Sequence, residues 1–297
     1  MTRRLPPQLS TGRTYQLPNS VCPYCGMVLS LSSRRKEHVI GRRFVPKGSL
    51  NGCWNLHVWA CEKCNSYKAD LEDDVSAITL FNGISEAGPV HDPDLRVEVE
   101  RKARRSISRR TGRPVGKSNE SVEATLKVPV FSLSATFHAP PQLDEDRANE
   151  LALFQLRALF FFLTFDPDLR RGVWWAGKLA LANGAFKRDF GNVVQIAFAQ
   201  RTASWDYRLM LTTAGGYFRV AIRRHPEGEA WSFALEWNDQ YRLIGFFGDE
   251  GICFSEADRL PRFQALVSSD ANGNRFAIRV ETQLTEDNDI LFANDEP

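Results

Sequence analysis

The chain has 297 residues, room for one large domain or for a small one joined to a medium one, and ordinary apolar and charged fractions for a globular protein. With 38 Lys and Arg against 36 Asp and Glu, the net charge of +2 names no partner by itself. Six cysteines are too sparse for a disulfide scaffold and favour a reducing compartment. The longest apolar stretch, Leu151 to Phe165, is interrupted by Gln155 and Arg157 and is too short to span a bilayer. Met1-Thr-Arg-Arg-Leu-Pro-Pro has no apolar run behind its arginines, so no signal peptide is predicted and the cytoplasm is the default.

Residues 1–20, with Pro6, Pro7 and Pro18, read as a surface arm offering Arg3, Arg4 and Arg13 to phosphate, or as a frayed, solvated terminus. Cys22-Pro-Tyr-Cys25-Gly26 and Cys61-Glu-Lys-Cys64 are two Cys-x-x-Cys turns, and four thiolates in two clips suit tetrahedral zinc. Two redox pairs or buried free thiols are the alternatives, but a thioredoxin-like motif needs a βαβ setting that is absent here. Between the clips, Glu37-His38-Val39-Ile40 lies on or at the end of a strand. Gly41, Pro46, Gly48 and Asn51-Gly52 make a loop, and Trp54-Asn55-Leu56 leads into a strand through Ala60. A helix starts over Asn65 to Asp74 and closes over the module through Val75 to Phe81. Gly83, Gly88, Pro89 and Pro93 end it, placing a boundary near residue 92.

A histidine beside an acid is more often a surface or core residue than a base, but Glu37-His38 has companions at Asn55, Asn65 and Lys68. Residues 21–74 resemble the HNH endonucleases of the ββα-metal (His-Me finger) fold, in their zinc-knuckle subgroup. That subgroup's pattern runs Cys-x-x-Cys, Asp/Glu-His, Asn-Leu, Cys-x-x-Cys-Asn/His-x-x-Lys. The resemblance implies that Glu37 binds a catalytic metal, that His38 is the general base activating water, and that Asn55 fastens the loop and orients the His38 ring. It further implies that Asn65 ligates the catalytic ion and that Lys68 approaches phosphate from the helix. Glu replaces the commoner Asp at position 37, and Asn replaces His at position 65.

The chemistry is coherent without the family. A neutral imidazole, with an ordinary pKa of about 6.5, can take a proton from water at cellular pH. A hard cation on the oxygens of Glu37 and Asn65 can bind the scissile phosphate and stabilise the leaving oxyanion. Oxygen ligands favour Mg²⁺ or Mn²⁺ and thiolates favour Zn²⁺, so the reading has Cys22, Cys25, Cys61 and Cys64 on a structural zinc and a second, catalytic ion elsewhere. His57 could serve as a substitute ligand, but two residues beyond Asn55 it is expected to pack or to face solvent.

From Arg96 to Lys117 the chain is basic, and Arg101, Lys102, Arg104, Arg105, Arg109 and Arg110 stand out. Such runs are usually solvated faces or linkers; beside a nuclease module the expectation is phosphate tracking. The predicted form is a helix to about Arg110, then a loop around Gly112, Pro114 and Gly116. Nothing in the run reads bases.

Beyond it, Val128 to His138 alternates as a strand, and Asp144 is placed to cap a helix running to Phe165. Gly172 to Asn183 is predicted to be a second helix carrying Trp174 and Trp175. Strands are predicted at Val193–Ala199, Tyr207–Thr213, Tyr217–Arg223, Trp231–Trp237, Arg242–Phe247 and Phe276–Thr282, with turns at Gly215-Gly216, Glu227-Gly228, Asn238-Asp239 and Asn272-Gly273. The aromatic residues of this half are read as sheet core rather than as a base-stacking platform.

The expectation is therefore an α+β protein. It comprises an arm (1–20), a small zinc-stapled ββα-metal module (21–92), a basic connector (93–122) and a mainly antiparallel β-sheet domain with one or two packed helices (123–297). The expected activity is metal-dependent hydrolysis of double-stranded DNA, in a setting such as restriction or phage defence, with no membrane partner. The C-terminal half is open to a homodimer or a partner protein. The alternatives are a zinc-dependent nucleic-acid-binding module without catalysis, and a nuclease effector restrained by a C-terminal sensor.

Overall fold

In a computed structural model the described residues are 14–86, 92–128, 131–262, 266–269, 275–278 and 283–292. The fold is α+β, as expected. It begins with a mixed three-stranded sheet ordered β1-β3-β2, where β1 is Tyr15–Gln16, β2 Arg34–His38 and β3 Leu56–Cys61. β1 runs parallel to β3 and β2 antiparallel, with His38 directly opposite His57. Helix α1 (Glu62–Glu86) follows β3 without a break, completing a ββα arrangement.

Helix α2 (Pro93–Arg105) starts on Asp92, whose carboxylate accepts from the N–H groups of Asp94 and Leu95. It ends five residues short of the expected Arg110. Ser106 is extended, and its hydroxyl donates to Asp73 while its N–H donates to the Lys102 carbonyl. The chain then doubles back, with Ile107 bridged to Pro114. Strands β4 (Glu120–Val128) and β5 (Phe131–Ala139) form a separate two-stranded ribbon; the alternation flagged β5 but left its partner unassigned. Helix α3 (Glu145–Leu163) is capped by Asp144 as expected.

The C-terminal half carries a five-stranded antiparallel sheet ordered β6-β10-β9-β8-β7. Its strands are β6 (Ala180–Phe186), β7 (Asp206–Thr213), β8 (Phe218–Arg224), β9 (Ala230–Trp237) and β10 (Tyr241–Gly248), so four of the predicted strand runs are found. Asn238 and Asp239 turn β9 into β10 at φ +55° and +55°. Helix α4 lies between β6 and β7 at Val193–Thr202, and α5 (Glu250–Asp258) packs on β10. A short ribbon, β11 (Leu266–Ser269) with β12 (Arg275–Ile278), covers the start of the sixth predicted strand. Its remainder and the Asn272-Gly273 turn lie outside the described residues.

Two predicted elements are different. Val193–Ala199 is helical, not extended: the Asn192 side chain accepts from the Gln195 N–H, and Val194, Phe198 and Thr202 recur on one buried helical stripe. Gly172 to Asn183 is not a helix. It runs irregularly and then becomes β6, with the two tryptophans serving different partners. Trp174 lies over Gly26 and donates to the Tyr24 carbonyl, whereas Trp175 packs on Phe247.

One buried cluster includes Leu17, Tyr24, Trp54, Leu56 and Val75 together with Leu156, Phe161, Phe218 and Trp237. The ββα sheet, α3 and the C-terminal sheet therefore share a core. Polar bonds cross the same contact: Thr213 donates to the Trp54 carbonyl at 2.6 Å, and the Asn238 amide donates to the Phe44 carbonyl at 3.1 Å. Among the described residues no helix is long and apolar enough to cross a membrane.

Candidate functional site

The first Cys-x-x-Cys turn is closed by hydrogen bonds from Gly26 N–H to the Cys22 carbonyl and from Cys22 N–H to the Met27 carbonyl, at 2.9 and 2.8 Å. Gly26 has φ +74° and lies under the Trp174 ring, so the position needs glycine twice over. Cys61 ends β3 and Cys64 falls in the first turn of α1, which sets the second pair opposite the first. All four thiol sulfurs lie within 4.8 Å of one another, and no cysteine is in a disulfide among the described residues. The Cys25 and Cys61 sulfurs are 3.8 Å apart. That matches the edge of a tetrahedron with Zn–S bonds of about 2.3 Å. A hydrogen bond from Cys64 holds the Cys22 thiol down to about 5 against the effect of burial, while burial pushes Cys25 up to about 11. The group could hold a structural zinc.

Arg157 of α3 stands behind this group. Its guanidinium donates to the Tyr24 carbonyl inside the first turn at 3.2 Å. Burial pulls its pKa down, opposed by the negative charge of Cys64 and Cys25. A cation there offsets part of the charge of a tetrathiolate and braces one clip. Arg157→Ala is expected to lower the group's zinc affinity about 10- to 100-fold, the cost typical of losing an outer-shell partner. Chelator competition on the folded protein reads that change directly.

Adjacent strand residues point to opposite faces, and Glu37 and His38 follow suit. Glu37 turns toward α1 and is buried there, with its carboxylate 2.8 Å from the Lys68 ammonium. Lys68 also contacts Glu72 at 2.6 Å and donates to the His38 carbonyl at 3.0 Å. Burial alone would lower the Lys68 pKa, but Glu72 and Glu37 outweigh it and the net shift is upward. Glu37 is raised, because burial outweighs the pull of Lys68. Lys68 is therefore a buried strut: its side chain is 0% exposed and paired with both carboxylates, so an approach to phosphate requires those pairs to open. Removing its charge strands the buried Glu37 and the part-buried Glu72, so Lys68→Met is expected to destabilise the fold by roughly 3–5 kcal/mol, read as a loss in denaturant midpoint.

His38 lies on the other face, in a cleft of about 550 Å³ that Asn55 and His57 also line. The His38 and His57 rings meet edge to face with centroids 4.0 Å apart. Each ring keeps one buried nitrogen without a partner, Nε2 of His38 and Nδ1 of His57. Burial and the charges of Arg42 and Lys36 lower the pKa of His38 to about 4. Burial, followed by His38 itself, does the same for His57. The Asn55 amide binds both backbone groups of Ile40, accepting from its N–H at 3.3 Å and donating to its carbonyl at 2.9 Å. It thereby clamps the loop that follows His38, holding backbone rather than the ring.

Asn65 sits on α1 one turn before Lys68, on the helix face that Glu37 meets. Its Oδ1 is buried with no hydrogen-bond partner. Among the described residues the four cysteines are the one group of three or more His, Cys, Asp or Glu ligand atoms that the fold gathers. Glu37 meets Lys68, one turn after Asn65, while the His38 ring lies in the cleft.

The basic set does not form one free surface. Lys102 is half-buried, which pulls its pKa down to about 8, and donates to the Arg43 carbonyl and the Ser76 hydroxyl. Arg109 pairs with Asp70 at 2.7 Å, and Arg110 is held by both carboxylate oxygens of Glu120. Arg101, Arg104 and Arg105 remain exposed, with no ion pair among the described residues.

Two site residues lay beyond sequence reasoning, and a third, His57, was expected to pack or to face solvent but without its partner. His57 needed the β2–β3 register to be seen opposite His38. Glu72 needed its spacing of four from Lys68 to be read as an inward pair. Arg42 was hidden in a loop with no periodicity. No protein-family model matches the chain, and no curated protein or solved structure matches it.

Proposed function

We propose that the protein is a divalent-metal-dependent endonuclease that hydrolyses DNA phosphodiester bonds, stapled by a structural zinc on Cys22, Cys25, Cys61 and Cys64. The observation that carries this reading is the setting of His38: an imidazole at the end of β2, in a cleft with cations on its wall and no carboxylate among its lining residues. Such a cleft attracts an anion and leaves the imidazole as the group able to take a proton. The likeness of residues 21–74 to HNH endonucleases supports the same assignment.

Glu37 and Asn65 would hold the catalytic ion, which requires the Glu37 carboxylate to leave Lys68 and reach round the end of β2 to a phosphate at His38. They offer a carboxylate and a buried amide oxygen that lacks a partner, hard oxygen donors suited to Mg²⁺ or Mn²⁺. When bound, the ion would supply Lewis-acid stabilisation of charge on the phosphate and the leaving oxygen. His38 takes the proton from the attacking water. His57 packs on the His38 ring, and Asn55 keeps the following loop closed. Lys68 and Glu72 anchor Glu37 to α1. The exposed Arg101, Arg104 and Arg105 of α2 would track backbone phosphates of the duplex, which implies affinity without base readout.

A supercoiled-plasmid assay tests the reading. Nicking in Mg²⁺ or Mn²⁺ that the His38→Ala variant lacks supports it. Tight DNA binding without cleavage in Mg²⁺, Mn²⁺ and Ni²⁺ would replace it with a non-catalytic binding module.

A further inference from the structure

The wall of the His38 cleft is the loop of residues 41–53, and its charge is one-sided. Arg42 and Lys47 line the cleft, both are exposed, and neither has an ion pair among the described residues. Cations in the turn after α2 and on α3 are paired instead: Arg109 with Asp70, Arg110 with Glu120, and Arg147 with Asp70 and Asp74. The charge of Arg42 reaches both His38 and His57, whose protonated forms it disfavours.

The loop is also stiffly held. Phe44, Val45 and Pro46 are buried. The N–H groups of Ser49 and Asn51 close successive turns onto the carbonyls of Pro46 and Gly48, at 3.1 and 2.9 Å. The Lys47 N–H donates to Glu98 of α2 at 3.0 Å, and Asn238 of the C-terminal half holds the Phe44 carbonyl. Gly48 and Gly52 take φ of +84° and +71°, which permits the two reversals. Cations on a preformed loop lose less freedom on meeting an anion than cations on a mobile one. Unpaired like charges beside two imidazoles repel one another and give the empty fold nothing.

We propose that this loop carries a phosphate-binding site for a nucleic-acid backbone, with Arg42 and Lys47 as its cations, and that it seats the strand against His38 independently of α2. The proposal rests on the nucleic-acid reading above but not on cleavage.

The test is Arg42→Ala/Lys47→Ala in a His38→Ala background, where nothing is cut. Binding of a fluorescently labelled DNA duplex is followed by anisotropy through a salt series. Each phosphate contact contributes about 0.9 to the slope of log affinity against log salt. The double variant is expected to bind more weakly at low salt, with a slope shallower by about 2 and a melting temperature equal to that of its parent. Adding Arg101→Ala, Arg104→Ala and Arg105→Ala is expected to bring a further, separate loss. Unchanged affinity and slope in the double variant would overturn the site. If the alanine variant does not fold, Arg42→Gln/Lys47→Gln carries the same comparison. A His38-intact protein that binds through these two cations yet never cuts would refute the nuclease reading and leave this site standing.

Discussion

Cys61→Ser is expected to unfold the ββα sheet rather than trim its stability. Cys61 is the last residue of β3, the central strand, which pairs with β1 on one side and β2 on the other. Its N–H also donates toward the Cys22 sulfur at 3.5 Å, and Cys64 lies three residues on at the start of α1. A structural zinc contributes on the order of 10 kcal/mol or more of folding free energy. A whole domain holds only about 5–15 kcal/mol in reserve. Serine cannot replace the thiolate, so the expected outcome is loss of bound zinc and collapse of the near-ultraviolet circular dichroism. The damage is expected to spread into the C-terminal half, because Tyr24, Trp54 and Leu56 share a core with α3 and the five-stranded sheet. Metal analysis with circular dichroism checks both parts. Full ellipticity in a zinc-free variant would show that the cysteines are only buried thiols.

His38→Ala is expected to slow cleavage about 10²- to 10⁴-fold, the usual contribution of a positioned general base. Zinc content should stay unchanged. The His38 side chain is only part-buried and packs on another histidine at the cleft wall, so the melting temperature should move little. DNA affinity should also survive, because the cations assigned to phosphate are Arg42, Lys47 and the arginines of α2. A loss confined to the catalytic rate separates a base from a binding residue.

The cysteine clips and the His38–Asn55 pairing of strand and loop were legible in the chain, because short motifs with fixed spacing encode local turns. The capped helix at Asp144 and the meander were legible too, since caps, alternation and turn residues all act within a few positions. Val193–Ala199 misled because its β-branched residues alternate like a strand, while the deciding signal was one cap at Asn192. Gly172 to Asn183 misled because the helix expected to carry both tryptophans is absent, and they serve partners in different halves. The burial of Lys68 was not legible, because a lysine is expected at the surface. Only the approach of Glu37 from another strand, together with Glu72, makes its burial tolerable. His57 and Arg42 depend on strand register and loop path, which no local pattern encodes.

The most direct measurement is a supercoiled-plasmid assay on zinc-replete protein, first without a second metal and then with Mg²⁺ or Mn²⁺ added, with His38→Ala beside it. The account predicts no cutting before the addition, relaxed circles after it, and intact supercoils throughout for the variant. Plasmid cut equally well by His38→Ala, or left supercoiled by the native chain under every metal while still bound, would contradict it.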